Sequence, residues 1–151
     1  MNYSWEAQFT FYGEGKGKQR TGQAEDGHRY TQKPTKNFMA CIYAASEDVK
    51  PPKPLEGPIE LIVLHYHAIP KKYQKPKFIE QIKKLLLWPL KKPDFDNVEK
   101  AVADALNKVF WTDDKNVVRS FYEKKYSDVP RVEVWVREID ITVEDNRDGK
   151  K

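Results

Sequence analysis

The sequence predicts an α/β protein, α+β in stricter usage, with a small mixed β-sheet of about four strands and two to three packed helices. Strand-like segments recur along the chain, at residues 3–11, 59–69, 117–126 and 131–143. Between them, apolar residues recur at the spacing of amphipathic helices. The 151 residues contain no internal repeat. We therefore expect one domain over residues 1–143 and a disordered charged tail at 144–151.

The first strand has a half-buried pattern, because large apolar side chains occupy every second position of residues 3–11. A long glycine-rich segment with few large apolar residues follows it. Its basic residues are Lys16, Lys18, Arg20 and Arg29. Two interpretations are open: a solvated hairpin, or a flexible basic arm that follows DNA phosphates while its glycines permit close backbone approach.

A helix is predicted from Pro34, which suits a first helical turn, to about Ser46. Its apolar side is marked by Phe38, Cys41, Ile42 and Ala45. Cys41 is the sole cysteine and has apolar neighbours, which predicts a buried thiol in a reducing cytoplasm. The chain has neither an apolar run of about 18 residues nor a signal-peptide core, so a soluble cytoplasmic protein is expected.

Residues 59–69 are apolar at both alternations, which predicts a central strand covered on both faces. His65 and His67 lie two residues apart and therefore share one face of this strand. No third ligand stands nearby at zinc spacing, so a structural or DNA-facing role is the better interpretation.

The next segment is rich in lysine. From Lys50 to Lys100 the chain has eleven lysines against six carboxylates. A short amphipathic helix within it is predicted by Phe78, Ile82, Leu85 and Leu86. The lysines form either a solvated helix face or a rim that binds phosphates beside an acidic site. The net charge of +4 fits a nucleic-acid partner but is common among soluble proteins.

Two pairs of carboxylates bracket an amphipathic helix near residues 98–109. Asp94 and Asp96 precede it, and Asp113 and Asp114 follow it. If residues 92–96 are extended, the first pair projects together while Phe95 points towards the core. A third carboxylate returned to the same place would require a divalent cation to offset the repulsion. Mg²⁺ is the default ion for such an oxygen site.

Each part of this motif also has a purely structural interpretation. Asp96 with Glu99 matches a helix N-cap and its capping-box partner. Lys100 and Asp104 are spaced for a surface ion pair, and the second carboxylate pair suits an ordinary turn. None of these interpretations explains Asp94, so the complete pattern favours a functional site.

Residues 117–126 and 131–143 predict two strands joined through a turn near 127–130. In the second strand, Val132, Val134 and Val136 share one face. The apolar residues that follow, Ile139, Ile141 and Val143, have the opposite alternation. A bulge or break near Arg137–Glu138 would explain this slip.

The run K-P-D-x-D-N-x-x-K-A-x-x-D-A-L-N, followed after a short gap by tryptophan and D-D, resembles the signature of the RusA-type Holliday-junction resolvases. These are small dimeric endonucleases of phages and bacteria that nick four-way DNA junctions. The resemblance is dense over residues 90–126 and looser before them. It implies that Asp94, Asp96 and Asp114 are catalytic, metal-binding carboxylates and that Lys100 is the essential lysine.

The resemblance also implies a homodimer, a Mg²⁺ cofactor with Mn²⁺ as a substitute, and branched DNA as the partner in recombination and repair. Supporting hydrogen-bonding or capping roles are expected for Asn97, Asp104 and Asp113. The resemblance also favours the interpretation of the glycine-rich segment as a basic arm. Lys91 and Lys92, at the end of the lysine-rich segment, are also expected to bind DNA if that segment is a phosphate-binding rim.

Three other functions fit parts of the pattern. A nuclease with the same chemistry can prefer flaps or other branched DNA. A non-catalytic DNA-binding protein can carry an acidic cluster that only caps a helix. Phosphatases of the haloacid dehalogenase type also use Asp-x-Asp, but no companion motif of theirs is evident here.

Overall fold

The computed structural model describes residues 2–15, 22–23, 29–30 and 33–142. Its elements follow the order β1 (Tyr3–Tyr12), β2 (Gly22–Gln23), β3 (Arg29–Tyr30), α1 (Lys33–Ser46), β4 (Ile59–Ala68), α2 (Pro76–Lys83), α3 (Phe95–Leu106), β5 (Val117–Ser127) and β6 (Arg131–Ile139). Short 3₁₀ turns lie at Glu47–Val49, Lys71–Tyr73 and Asp114–Asn116.

The main sheet has four strands in the order β1-β6-β4-β5. β4 pairs parallel with β5, while β6 is antiparallel to both β1 and β4. The parallel pair requires a crossover, which the chain between β4 and β5 supplies with α2 and α3. The predicted small mixed sheet with three helices is therefore confirmed. β2 and β3 form a separate two-stranded ribbon.

The core lies between the sheet and the helices α1 and α3. One face of β4 contributes Ile59, Leu61 and Val63, all essentially buried. The helices contribute Phe38, Ile42, Val98, Ala101, Val102 and Leu106. On the opposite face of β4, Ile62, Leu64 and Tyr66 are only half-buried. The predicted central strand is confirmed, but the described helices cover only one of its faces.

Helix α1 confirms the predicted span and corrects one residue within it. Phe38 and Ile42 are four residues apart, and both are buried. Cys41 precedes Ile42 by one position, about 100° around the helix, and is exposed. The predicted buried thiol is therefore wrong.

The slip in the last strand is explained by an irregular strand end. β6 stops at Ile139. The pairing register shifts between Tyr3 and Trp5 of β1, opposite Glu138 and Ile139 of β6. Ile139 is thus the last residue of the strand and Ile141 lies beyond it, which agrees with the expected break near Arg137–Glu138, while Val143 is outside the described residues.

None of the helices in the described ranges is long and apolar enough to cross a membrane. The longest, α1, has 14 residues. The predicted tail at 144–151 lies outside the described residues.

Candidate active site

The N-cap of α3 is Asp94, two residues before Asp96, which the sequence predicted as the N-cap. Asp94 has extended backbone angles (φ −71°, ψ 153°), and Phe95 is the first residue of α3. Only the residues up to Asp94 are extended, so Asp96 belongs to the first helical turn. Phe95 does not enter the core: it is 61% exposed, and its ring lies 6.5 Å from that of Tyr122. The alternate-face argument for the first carboxylate pair is therefore wrong.

The capping-box interpretation of Asp96 is also wrong. The N-cap residue is Asp94, whose side chain makes no capping hydrogen bond. Glu99, the expected capping partner, instead accepts a hydrogen bond from the hydroxyl of Ser120 on β5. Neither carboxylate of the first pair is committed to capping, and both are exposed at the N-terminus of α3. The positive end of the helix dipole partly offsets the negative charge there.

Lys100 connects α3 to the second carboxylate pair. Its Nζ lies 3.1 Å from Oδ1 of Asp104, the ion pair expected from the spacing. The same Nζ lies 3.8 Å from Oδ2 of Asp114. The hydrogen bond to Asp104 raises the pKa of Lys100, and the charge of Asp114 adds to this effect. Lys100 is therefore a permanent cation that faces two carboxylates.

The carboxylate of Asp114 is held from its other side by a buried ring. Trp111 is fully buried, and its Nε1 donates a hydrogen bond of 2.9 Å to Oδ1 of Asp114. Oδ2 is the oxygen that faces Lys100. Asp113 caps the next 3₁₀ turn by accepting a hydrogen bond from the backbone N–H of Lys115. The capping role expected for Asp113 is confirmed.

These contacts bring part of the predicted site together. Asp96 and Lys100 are four residues apart on α3, so they are neighbours on one helical face, and Lys100 reaches Asp114. Within the described ranges, no three His, Cys, Asp or Glu side chains are grouped closely enough to hold a metal ion. Convergence of Asp94, Asp96 and Asp114 on one ion stays a prediction. Asn97 is half-buried in the first turn of α3, and its role is likewise a prediction.

Lys124 on β5 is a site residue that sequence reasoning missed. Its Nζ donates to the main-chain oxygen of Lys91 at 2.7 Å and approaches that of Pro93 at 3.3 Å. It therefore fixes the backbone immediately before Asp94. A signal was present in the sequence: Lys124 alternates with Tyr122 and Tyr126, so this lysine lies on the helix-covered face of the strand.

His65 and His67 form a buried pair at the same end of the sheet. Their ring centroids are 4.0 Å apart, and Nδ1 of His65 is hydrogen-bonded to the hydroxyl of Tyr122 at 2.7 Å. Burial above all, and then nearby positive charges, lowers the pKa of His65 to about 3 and that of His67 to about 4. Both rings are therefore neutral near pH 7, and the expected structural role fits this burial.

The residues that follow β1 pack against this histidine pair. A Cβ added to Gly15 would overlap Nε2 of His65, so the position admits only glycine without a shift. The backbone N–H of Gly13 donates to the carbonyl of Pro130 at 3.0 Å. The charges of Lys91 and Lys124 both contribute to the lowered pKa of His65. Residues 13–15 thus lie at the end of the sheet where α3 begins.

The predicted DNA-binding residues are only partly described. Lys91 and Lys92 are exposed just before the acidic motif. Lys16, Lys18 and Arg20 lie outside the described residues, and Arg29 begins β3 with its side chain outside the described part.

The site combines exposed carboxylates, a charged lysine and an adjacent lysine-rich segment. These groups suit an enzyme that acts on nucleic-acid phosphates. The sequence model of the family described as "Endodeoxyribonuclease RusA" matches residues 13–137. The chain belongs to the RusA endodeoxyribonuclease family, and it is therefore a nuclease.

A relative in Bacillus subtilis (strain 168), described as "Uncharacterized protein YqaN", is 37% identical over 136 residues. The match covers 87% of this chain and 95% of the relative. The family assignment confirms the resemblance found in the acidic motif and leaves the phosphatase interpretation without support.

Proposed function

We propose that this chain resolves Holliday junctions by a pair of symmetric, Mg²⁺-dependent nicks during DNA recombination and repair. The observation that carries the proposal is the contact of Lys100 with Asp114 in a chain of the RusA family. Lys100 itself lies one helical turn after Asp96 on α3. A lysine between carboxylates from two parts of the chain is an arrangement that fits phosphodiester hydrolysis.

The residues present fit a magnesium ion. Asp94 and Asp96 offer exposed carboxylate oxygens, the ligand type that Mg²⁺ prefers, and the half-buried Asp114 lies beside Lys100. Mg²⁺ keeps several waters and needs only one or two carboxylates besides the substrate phosphates, so a rigid cage is not required. A bound divalent ion supplies activation of the attacking water and offsets negative charge in the transition state. Mn²⁺ accepts the same oxygen ligands.

The chain's own residues bind and orient the reacting groups. Lys100 remains charged and can contact a phosphate oxygen, where it would stabilise the negative charge that develops during hydrolysis. Asp104 holds the other side of this ammonium and limits its motion. Trp111 orients Asp114 by its hydrogen bond, while Asp113 fixes the turn that carries it.

Basic residues around the acidic site are needed because carboxylates repel DNA. Lys91 and Lys92 lie immediately before Asp94, and residues 13–15 lie at the same end of the sheet. In this proposal the lysines contact phosphates and set the position of the strand to be cut. A homodimer places two identical sites on opposed strands, which a symmetric pair of nicks requires.

The test is Asp96→Asn, assayed on a synthetic four-way junction, a flap and a plain duplex with Mg²⁺, with Mn²⁺ and with EDTA. Junction binding should persist, while cleavage should fall by at least about 100-fold, the scale at which loss of one electrostatic group acts in enzymes. Faster cleavage of the junction than of the flap and the duplex would distinguish a junction resolvase from a general branched-DNA nuclease.

Asp48→Asn is the matched control, because Asp48 is an exposed carboxylate in the turn after α1. It should leave both binding and cleavage unchanged. Undiminished cutting by Asp96→Asn would exclude Asp96 from the site. Cutting by the unaltered protein in EDTA would exclude metal dependence.

A further inference from the structure

Residues 85–90, which we name the apolar tip, expose large aliphatic side chains just before the acidic motif. Leu86 is 69% exposed and Leu90 is 92% exposed, and Leu85 and Trp88 are also exposed. Side chains of this size rarely lie open to water beside one another unless they meet a partner.

The apolar tip has a defined backbone. It begins where α2 ends: Leu86 N–H donates to the carbonyl of Gln81, and Leu85 N–H donates to that of Ile82. These two bonds form a Schellman motif, in which glycine is the usual residue with positive φ. Here Leu85 takes that position with φ of 58°, a conformation that costs a leucine about 1 kcal/mol. Nε1 of Trp88 closes the turn with a 2.9 Å hydrogen bond to the carbonyl of Leu85.

The apolar tip is also tied to the candidate active site. Pro89 is buried and anchors the turn to the body of the domain. Leu90 is four residues before Asp94, which places their Cα atoms within about 14 Å of each other. Lys124 holds the carbonyls of Lys91 and Pro93 within that connection.

The charge around the apolar tip identifies the chemistry of its partner. Residues 71–92 contain eight lysines and one carboxylate, Glu80. Glu80 is itself paired with Lys84 at 3.1 Å. A polyanion complements this excess of positive charge, and DNA supplies both phosphates for the lysines and apolar base faces for the leucines.

We propose that the apolar tip is a wedge that enters the branch point of a DNA junction, with Leu86 and Leu90 against base faces exposed there. The inference rests on the proposed function and extends it by naming a residue set that distinguishes branched from continuous DNA. In a continuous duplex the base faces are stacked on one another, and separating them is costly. At a branch point the stacking is already interrupted, so apolar side chains can enter with less disruption of stacking.

The experiment compares the double variant Leu86→Ser/Leu90→Ser with the unaltered protein in EDTA. Affinity is measured by fluorescence anisotropy on a four-way junction and on a linear duplex of the same total length. The double variant should bind the junction roughly tenfold more weakly and the duplex within about twofold of the unaltered protein. With 2-aminopurine at the branch point, the unaltered protein should raise the fluorescence as the base unstacks, and the double variant should not.

Val118→Ser/Ile141→Ser is the matched control, because these two aliphatic residues are 62% and 71% exposed outside the basic segment. It should behave as the unaltered protein does. Equal losses on junction and duplex, or no loss on the junction, would overturn the wedge. Dissociation of a dimer by the double variant in sedimentation would overturn it too, because the apolar tip would then be a subunit contact. An unaltered protein that neither binds nor cuts junctions would overturn the proposed function as well.

Discussion

In the proposed mechanism, Lys100 is the residue that stabilises the charge developing on the phosphate. Its ammonium faces Asp104 on its own helix and Asp114 beyond the helix, at 3.1 Å and 3.8 Å. The Lys100 side chain is 57% exposed, so solvent screens both pairs and they contribute little to the stability of the fold. The stability of the fold therefore does not require a lysine at this position, whereas the proposed chemistry does.

Lys100→Met should reduce the rate of junction cleavage by roughly 100-fold, because it removes the cation that stabilises charge on the scissile phosphate. The free energy of unfolding should change by less than about 1 kcal/mol. Cleavage kinetics and urea unfolding of the same preparation measure the two effects.

Lys84→Met is the control for Lys100→Met. Lys84 forms a pair with Glu80 at the same spacing of four residues and the same distance of 3.1 Å. It should change stability as little as Lys100→Met does and leave the cleavage rate within about threefold, since it only weakens the lysine rim. Equal activity losses in the two variants would show that Lys100 acts only through net charge.

The pKa values of His65 and His67 predict that the protein loses stability in mild acid. Folding lowers both pKa values, to about 3 and about 4, from about 6.5 in the unfolded chain. As the pH falls below 6.5, these histidines become protonated in the unfolded chain but remain neutral in the folded protein. The stabilisation is therefore complete above pH 6.5, is lost progressively below it, and levels off near pH 3 to 4.

Urea unfolding at pH 7 and pH 5 should show a decrease of roughly 2 kcal/mol for each histidine. His67→Gln should remove about half of this pH dependence, because glutamine does not titrate. An unfolding free energy that is constant between pH 7 and pH 5 would contradict the neutral buried pair.

At the scale of elements, β5 sets the position of the N-terminus of α3. Phe95 packs against Tyr122, Glu99 contacts Ser120, and Lys124 binds the backbone before Asp94. All three contacts are made by side chains on one face of β5, the face that also covers the core. The first turn of α3 is therefore positioned by the strand beneath it as well as by its own sequence.

Lys124→Met should release the connection before Asp94 and reduce the cleavage rate by roughly tenfold, because small displacements of reacting groups are costly. The concentration of Mg²⁺ needed for half-maximal cleavage should rise with it. Cleavage rates over a Mg²⁺ titration measure both changes.

Lys125→Met provides the comparison for Lys124→Met, since it removes the same charge from the neighbouring residue. Lys125 is on the opposite face of β5 and pairs with Glu123 at 3.0 Å. Identical Mg²⁺ titrations of the two variants would contradict a positioning role for Lys124.

The helices show where the sequence predicts the structure and where it does not. The apolar spacing predicted α3 because Val98, Ala101 and Val102 are all buried against the core. The same spacing did not predict its first residue, because the start depends on β5, which follows more than 20 residues later. Likewise Leu85 and Leu86 matched the apolar spacing of α2 but lie after its end, where a turn exposes them.

The candidate site was predicted only as far as local spacing allows. The ion pair of Lys100 with Asp104 follows from helical geometry alone. The contacts of Lys100 with Asp114 and of Lys124 with Lys91 join segments that are distant along the chain, so they depend on how the loops close.

At the scale of the molecule, basic groups gather at the end of the sheet where β4 and β5 terminate. Lys124 lies near the end of β5, and Lys91 is bonded to it. The chain leaves β1 at this end, where Gly15 lies beside His65. If DNA binds at this end, as proposed, its phosphates meet this positive charge, so the affinity should depend strongly on salt.

Junction affinity should fall with salt with a log–log slope of about −0.9 per phosphate neutralised. Lys91→Gln/Lys92→Gln should make the slope shallower by about 2. Binding isotherms at a series of salt concentrations measure the slope.

Lys50→Gln/Lys53→Gln removes two lysines from the connection that leads into the beginning of β4, at the opposite end of the sheet. Lys50 is already paired with Glu47 at 2.9 Å. This control should leave the slope unchanged. A flat salt response of the unaltered protein would exclude the basic rim.

The outward position of Cys41 on α1 has a practical consequence. Because the chain has no other cysteine, a maleimide dye attaches at a single, known place without any engineered substitution. Its thiol is exposed, while the neighbouring Phe38 and Ile42 pack in the core, so a fluorophore there extends into solvent. In the proposed homodimer, donor- and acceptor-labelled subunits would report their separation by energy transfer, and the absence of transfer on junction DNA would contradict the dimer.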